Sequence, residues 1–151
     1  MIADFGISKL YRRGAQTMFT GATVEYLAPE QINHVESGLK ADIFSMGCCF
    51  LLLFAAVCEG GNGVERIDDL VIDIPGSCQY GREIKGILPV LYEMIRTIQQ
   101  SEEEPRAKLT RLGLAVRDML IEAPATRLSA RSTRHALVEG EGLLLAQVSL
   151  P

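Results

Sequence analysis

No Cys-x-x-Cys pair occurs among Cys48, Cys49, Cys58 and Cys78, and the two histidines, His34 and His135, complete no ligand pattern with them. A zinc site therefore has no support, and buried free thiols in a reducing compartment are expected. Positive charge is not in excess either. Fifteen Lys and Arg against 19 Asp and Glu leave a net charge of −4, so there is no general basic footprint for nucleic acid or an anionic membrane surface. Local basic spots such as Arg12-Arg13 are too small to change that. At the N-terminus, Met1-Ile2-Ala3 meets Asp4 with neither a basic start nor an apolar run. No signal peptide is read there, and a cytoplasmic or nuclear location is expected. Internal repeats and low-complexity tracts are also lacking.

What is present suits one globular domain. Of the 151 residues, 48% are hydrophobic, enough for a modest core and too many for a disordered segment. The one long apolar run, 43–58, is interrupted only by Ser45 and Gly47. As a helix it reaches only about 24 Å at about 1.5 Å per residue, short of the roughly 30 Å hydrocarbon core of a bilayer. It reads as a helix surrounded by other helices rather than a membrane span.

Near-alternation in Ile7-Ser8-Lys9-Leu10-Tyr11 predicts a short half-buried strand, and the polar stretch 12–21, with Gly14 and Gly21, a loop. Pro29 suits a first helical turn, where its missing amide hydrogen costs nothing, and predicts a brief helix over 29–33. Ser37-Gly38 precedes a long helix over about 41–57. Glu59-Gly60-Gly61-Asn62-Gly63 is expected to end it, and 67–80, with clustered acids, Pro75 and Gly76, is expected to be irregular. Ile84, Ile87, Leu88, Leu91, Met94, Ile95 and Ile98 then mark one apolar helix face, with Pro89 placing the regular part near itself. The acidic run 101–105 predicts a loop. Leu109, Leu112, Val116, Met119 and Leu120 restart the period, Pro124 stops it, and Ser129 is the expected N-cap of a last helix reaching about Val138.

Three motifs follow one another early in the chain. Asp4-Phe5-Gly6 is followed by Thr23-Val24-Glu25-Tyr26-Leu27 running into Ala28-Pro29-Glu30, then by Lys40-Ala41-Asp42-Ile43-Phe44-Ser45-Met46-Gly47. Each short match carries little information alone, whereas their order, separation and filling are specific. Together they resemble the activation segment and the start of the central helix of the eukaryotic serine/threonine protein kinase family. Arg127, within Glu122-Ala123-Pro124-Ala125-Thr126-Arg127-Leu128-Ser129, matches a later arginine of that family. The resemblance implies a mainly α fold: a kinase-like C-terminal helical lobe with a short β stub at its start. Residues 1–138 would be a partial kinase domain, with the activation segment at 4–30, the central helix at about 41–57, an irregular insertion at about 59–82 and later helices at about 83–138. Residues 139–151 would be a tail.

For the complete enzyme the same resemblance implies ATP and magnesium as cofactors, with Asp4, Phe5 and Gly6 at their site. Asp4 would be the metal ligand, a hard oxygen donor for a hard cation; Phe5 would be an apolar anchor, and Gly6 would allow the turn. Thr23 and Tyr26 fall at the peptide-substrate site and favour the serine/threonine class, since tyrosine kinases usually carry a proline in this region. Thr17 and Thr20 lie where such kinases are often phosphorylated. Ala28, Pro29, Glu30, Asp42, Gly47 and Arg127 are implied as scaffold: Glu30 would pair with Arg127, and Asp42 would cap amides of the catalytic loop. Ala22, Phe44 and Ala123 stand where the family usually has glycine, tryptophan and an acid.

The 151 residues contain no glycine-rich phosphate loop, strand lysine, partner glutamate or His-Arg-Asp loop. No catalytic residue is assigned within them, and neither nucleotide nor metal is expected to bind well to this chain alone. The N-terminal lobe and catalytic loop are expected to be missing, and that portion and protein substrates are the expected partners. The expected function is a fragment of a serine/threonine kinase, inactive by itself. The alternatives are a kinase-derived interaction module without catalysis and, third, a protein anchored in a membrane by 43–58.

Overall fold

The computed structural model describes residues 24–33, 35, 38–71, 79–101 and 106–139. The strand expected over 7–11, the loop over 12–21 and the tail from 140 onward lie outside the described residues. Every regular element among the described residues is helical, in agreement with a mainly α fold. A 3-10 turn at Val24–Tyr26 leads to α1 (Pro29–Ile32). Then come α2 (Lys40–Glu59), α3 (Gly61–Val71), α4 (Tyr80–Gln100), α5 (Arg106–Met119) and α6 (Ala130–Arg134), which runs into one π-helical turn at His135–Glu139.

The core forms around α2. Phe44, Cys48, Leu51, Phe54 and Ala55 are fully buried on it, against α3, α4 and α5. A helix apolar on nearly all sides can be stable in this way only if other helices supply apolar faces. Here Ile67 and Val71 of α3, Ile87, Leu91 and Ile95 of α4, and Val116 of α5 do so. The opposite side of α2 stays apolar and open, with Met46, Leu53 and Val57 between 36% and 61% exposed. Being 20 residues long, α2 extends about 30 Å, longer than the sequence run suggested. Length and composition alone would thus let it cross a membrane, yet 44% of its most apolar window is buried inside the protein.

Two expectations are corrected. The stretch after Gly60 is not irregular throughout: 61–71 is the helix α3. Gly60 does end α2, at a φ of 64° that favours glycine, but the chain turns at once into a new helix. Glycine is a poor helix former, at about 1 kcal/mol below alanine. Contact explains its presence, because a Cβ on Gly63 would lie 2.4 Å from the Ala55 carbonyl oxygen. Gly63 lets α3 lie close against α2, and Ile67 and Val71 continue the same buried face. The second correction concerns α4, which begins at Tyr80 and carries Pro89 in its interior. Pro89 and Lys85, whose carbonyl loses its usual amide partner, are both exposed, so water can solvate that carbonyl.

At the far end, Ser129 caps α6 through its hydroxyl, which accepts from the Ser132 amide at 3.1 Å. Arg66 of α3 ties α2 to α4, donating to Glu59 at 2.8 Å and to Glu93 at 2.6 Å. Both pairs are partly exposed and contribute little to stability.

Candidate functional site

The segment Val24–Ile32 is held from three sides. Ser45 of α2 donates its hydroxyl to the Tyr26 carbonyl at 2.8 Å. The Tyr26 ring stacks on Tyr80, the first residue of α4, with centroids 5.6 Å apart and planes 17° from parallel. Tyr80 in turn donates its hydroxyl to Asp68 of α3 at 3.3 Å. Burial, and then the Asp68 carboxylate, raise the Tyr80 phenol well above its ordinary pKa, so it remains a donor. Next to it, a Cβ on Gly81 would meet the Leu27 carbonyl oxygen at 2.5 Å; only glycine lets α4 approach that backbone. Leu27, Ala28 and Pro29 are buried as a result. The Ala28 amide donates to the Gln31 side chain at 3.0 Å, and Pro29 occupies the first turn of α1.

Glu30 lies beyond this turn and meets Arg127 from 97 positions away. The guanidinium donates from Nη1 to one carboxylate oxygen at 2.7 Å and from Nη2 to the other at 2.9 Å. Its other donors reach backbone carbonyls: Nη1 to Lys40 at 2.8 Å, Nη2 to Glu122 at 2.9 Å and Nε to Ile121 at 2.8 Å. All five N–H groups of a fully buried arginine are thereby used. Its Cζ also sits 5.0 Å from the Phe44 ring centroid, so the aromatic ring at that position faces a cation. The fork fixes α1, the start of α2 and the loop before α6 to one point.

Gly47 is buried where α2 crosses the end of α5; a Cβ there would lie 2.9 Å from that of Met119. Asp42, in the first turn of α2, is exposed and makes no hydrogen bond among the described residues. Surrounding protein excludes enough water from its carboxyl to raise its pKa. Asp4, Phe5, Gly6, Thr17, Thr20 and Thr23 lie outside the described residues. Among the described residues, no three His, Cys, Asp or Glu side chains converge as a metal site would require. Tyr80 and Gly81 were missed in the sequence, because the expected irregular stretch hid the start of α4.

Beside this segment a pocket of about 330 Å³ opens between α1 and α4, lined by Pro29, Ile32, Asn33, Gly81, Arg82, Ile84, Lys85 and Glu122.

A helical lobe in which an Ala-Pro-Glu turn is locked to a distant arginine defines a class, and comparison with known proteins identifies it. The protein kinase domain model matches residues 1–137. The chain belongs to the protein kinase family. Cysteine-rich receptor-like protein kinase 42 of Arabidopsis thaliana is 27% identical over 158 aligned positions, covering 99% of this chain and 23% of that protein. Lectin-domain containing receptor kinase VI.4 of the same plant is 31% identical over 78, covering 50% and 11%. Serine/threonine-protein kinase Nek6 of Oryza sativa subsp. japonica is 37% identical over 54, covering 36% and 10%. The chain thus spans less than a quarter of the length of these curated relatives. No solved structure matches it significantly.

Proposed function

We propose that this chain is the substrate-facing helical part of a serine/threonine protein kinase, whose complete form transfers a phosphoryl group from ATP to protein hydroxyls. The observation that carries this reading is the Glu30–Arg127 fork, which anchors the end of the segment containing Thr23 and Tyr26 to the helical core. Phosphoryl transfer depends mainly on positioning and charge neutralisation, so a rigid shelf for the acceptor peptide is a direct contribution to it. Thr23 and Tyr26, and the name of the rice relative, support serine and threonine as acceptors. Magnesium-ATP would supply the transferable phosphoryl group and shield its charge. Asp4 is the residue whose carboxylate suits that cation, with Phe5 and Gly6 beside it, and Thr17 and Thr20 are candidates for regulatory phosphorylation.

Residues 1–151 alone carry out no phosphotransfer on this reading, because they include no phosphate-binding glycine loop and no His-Arg-Asp base. Incubation with labelled ATP, magnesium and a serine-containing peptide should leave the peptide unlabelled. Incorporation that disappears in Asp4→Ala would overturn that statement. For the complete enzyme, the in-frame coding sequence upstream of Met1 is decisive: without a glycine-rich loop and a His-Arg-Asp segment there, the catalytic reading fails.

The exposed apolar stripe Met46, Leu53 and Val57 of α2 favours a second reading, a non-catalytic interaction module whose partner covers that stripe. A monomeric, cooperatively folded chain would support it, and aggregation would count against it. Membrane anchoring through α2 is the third and weakest reading; solubility of the purified chain without detergent would dispose of it.

A further inference from the structure

We propose that the open side of α2 is the docking surface for the chain's own segment 142–151, which lies outside the described residues. Met46, Cys49, Leu53 and Val57 follow one another at three- and four-residue steps, so they line one side of the helix. All four are exposed, Leu53 and Val57 by 60% and 61%. No charged residue stands between Asp42 and Glu59, so nothing on this side favours a charged occupant. Contiguous apolar surface of this kind marks a contact. Its size favours a tethered one. From Met46 to Val57 the stripe runs about 16 Å, and it is one helix wide, roughly 10 Å. A stable interface between separate chains needs roughly 800 Å² on each, several times as much. A tethered segment needs far less, because its local concentration is on the order of millimolar before any contact forms.

The segment fits in chemistry, reach and position. It contains no charged residue. From Ala146 to Leu150 apolar and polar residues alternate, so in an extended chain Leu144, Ala146, Val148 and Leu150 share one side, with Gln147 and Ser149 on the other. Such a chain reaches about 20 Å from Leu144 to Leu150, enough to follow the whole stripe. Its starting point is one helix away. The turn His135–Glu139 packs on α5, and α5 packs on α2. Packed helix axes lie about 8–10 Å apart, and the three residues 140–142 span about 10 Å when extended. Leu137 and Val138, 37% and 71% exposed, carry apolar surface up to that step. A partner of the kind the non-catalytic reading requires would have to displace this segment. Docking here requires no phosphotransfer by the chain, so it stands or falls separately from the catalytic reading.

Disulfide trapping in residues 1–151 tests it, because Cys49 is an exposed thiol within the stripe and Cys48 is buried. In a Cys58→Ala/Cys78→Ala background, Val148→Cys supplies a second thiol from the segment. Oxidised glutathione should then close an intramolecular bond, read as a monomer without accessible thiols, at a rate independent of protein concentration. Leu53→Asn should slow closure by about tenfold or more, equivalent to roughly 1.4 kcal/mol of docking. The change brings no charge beside Cys49, and Leu53 is exposed, so circular dichroism should be unaltered. As a second measurement without added thiols, Val148→Asn/Leu150→Asn should raise the fluorescence of anilinonaphthalene sulfonate by about twofold or more as the stripe opens. The proposal is overturned if no closed monomer forms, if Leu53→Asn leaves its rate unchanged, or if the dye signal does not rise. A covalent dimer in place of the closed monomer would assign the stripe to a second copy and overturn it. Binding of the unsubstituted chain to phosphatidylcholine vesicles would overturn it too.

Discussion

Replacing Arg127 by methionine removes a side chain that makes two bonds to a buried carboxylate and three to partly buried backbone carbonyls. Methionine fills much of the volume but donates nothing. Glu30, only 7% exposed, would keep a charge without its counter-ion, and breaking a buried pair from one side costs about 3–5 kcal/mol. The three carbonyls add to that, while local relaxation toward water subtracts. Against a total stability on the order of 5–15 kcal/mol, such a loss is severe. At about 2–4 °C per kcal/mol for a chain of this size, the melting temperature should fall by roughly 10 °C. Glu30→Gln is the informative contrast. It leaves the guanidinium its three carbonyls and one amide oxygen, so its cost should be nearer 1.5–3 kcal/mol, that of about one charged hydrogen bond. The double variant Glu30→Gln/Arg127→Met leaves no buried charge and should cost less than the sum of the single changes, by about 0.5–3 kcal/mol. Urea unfolding followed by circular dichroism measures all of these. The reasoning is refuted if Arg127→Met costs under about 1 kcal/mol, if Glu30→Gln costs more than Arg127→Met, or if the double variant is strictly additive.

Two glycines in helices should respond in opposite directions to alanine. Gly63→Ala must push into the Ala55 carbonyl and should destabilise by about 1–3 kcal/mol, whereas Gly86→Ala, with nothing near its Cβ, should stabilise by about 0.5–1 kcal/mol; thermal melts decide. Tyr80→Phe keeps the stack on Tyr26 and loses only the bond to Asp68, so it should cost about 0.5–1.5 kcal/mol, against about 3–5 for Tyr80→Ala. Alkali should destabilise the fold. Burial and then the Glu59 charge push the Cys58 thiol from 9.0 up to about 11, and burial raises Cys48 further in the same direction. A raised folded pKa means that the protonated form is favoured on folding, so this stability is complete below about pH 9 and is lost as pH rises through the folded values. Urea midpoints at pH 8 and above pH 10 should therefore diverge, and less so in Cys58→Ala; equal midpoints for the wild type would count against this assignment.

The apolar face of α4 was readable because Ile84, Ile87, Leu91, Met94, Ile95 and Ile98 recur at helical spacing. Its first turns were not, since Pro89 reads as a start when nothing shows that its side of the helix meets water. The helix α3 was hidden for a different reason. Gly61 and Gly63 argue locally against a helix, and Gly63 makes sense only against the Ala55 carbonyl, a contact absent from any linear pattern. Glu30 and Arg127 could be associated only through the family resemblance; no periodicity links positions so far apart. The bonds from Arg127 to Lys40, Ile121 and Glu122 and its approach to Phe44 had no signal at all.

By itself the sequence determined the class of this protein: ordered motifs identify a kinase, and apolar spacing makes its described part helical, because both depend on residues near one another along the chain. Tertiary structure alone decided which face of α2 is covered and which stays open, that α3 is a helix, that Tyr80 and Gly81 hold the segment around Tyr26 and Leu27, and that Arg82 and Lys85 share a pocket with Pro29 and Glu122. Those outcomes depend on distances across the fold, where burial removes water and makes a single clash or an unpaired charge cost more than any local preference can offset.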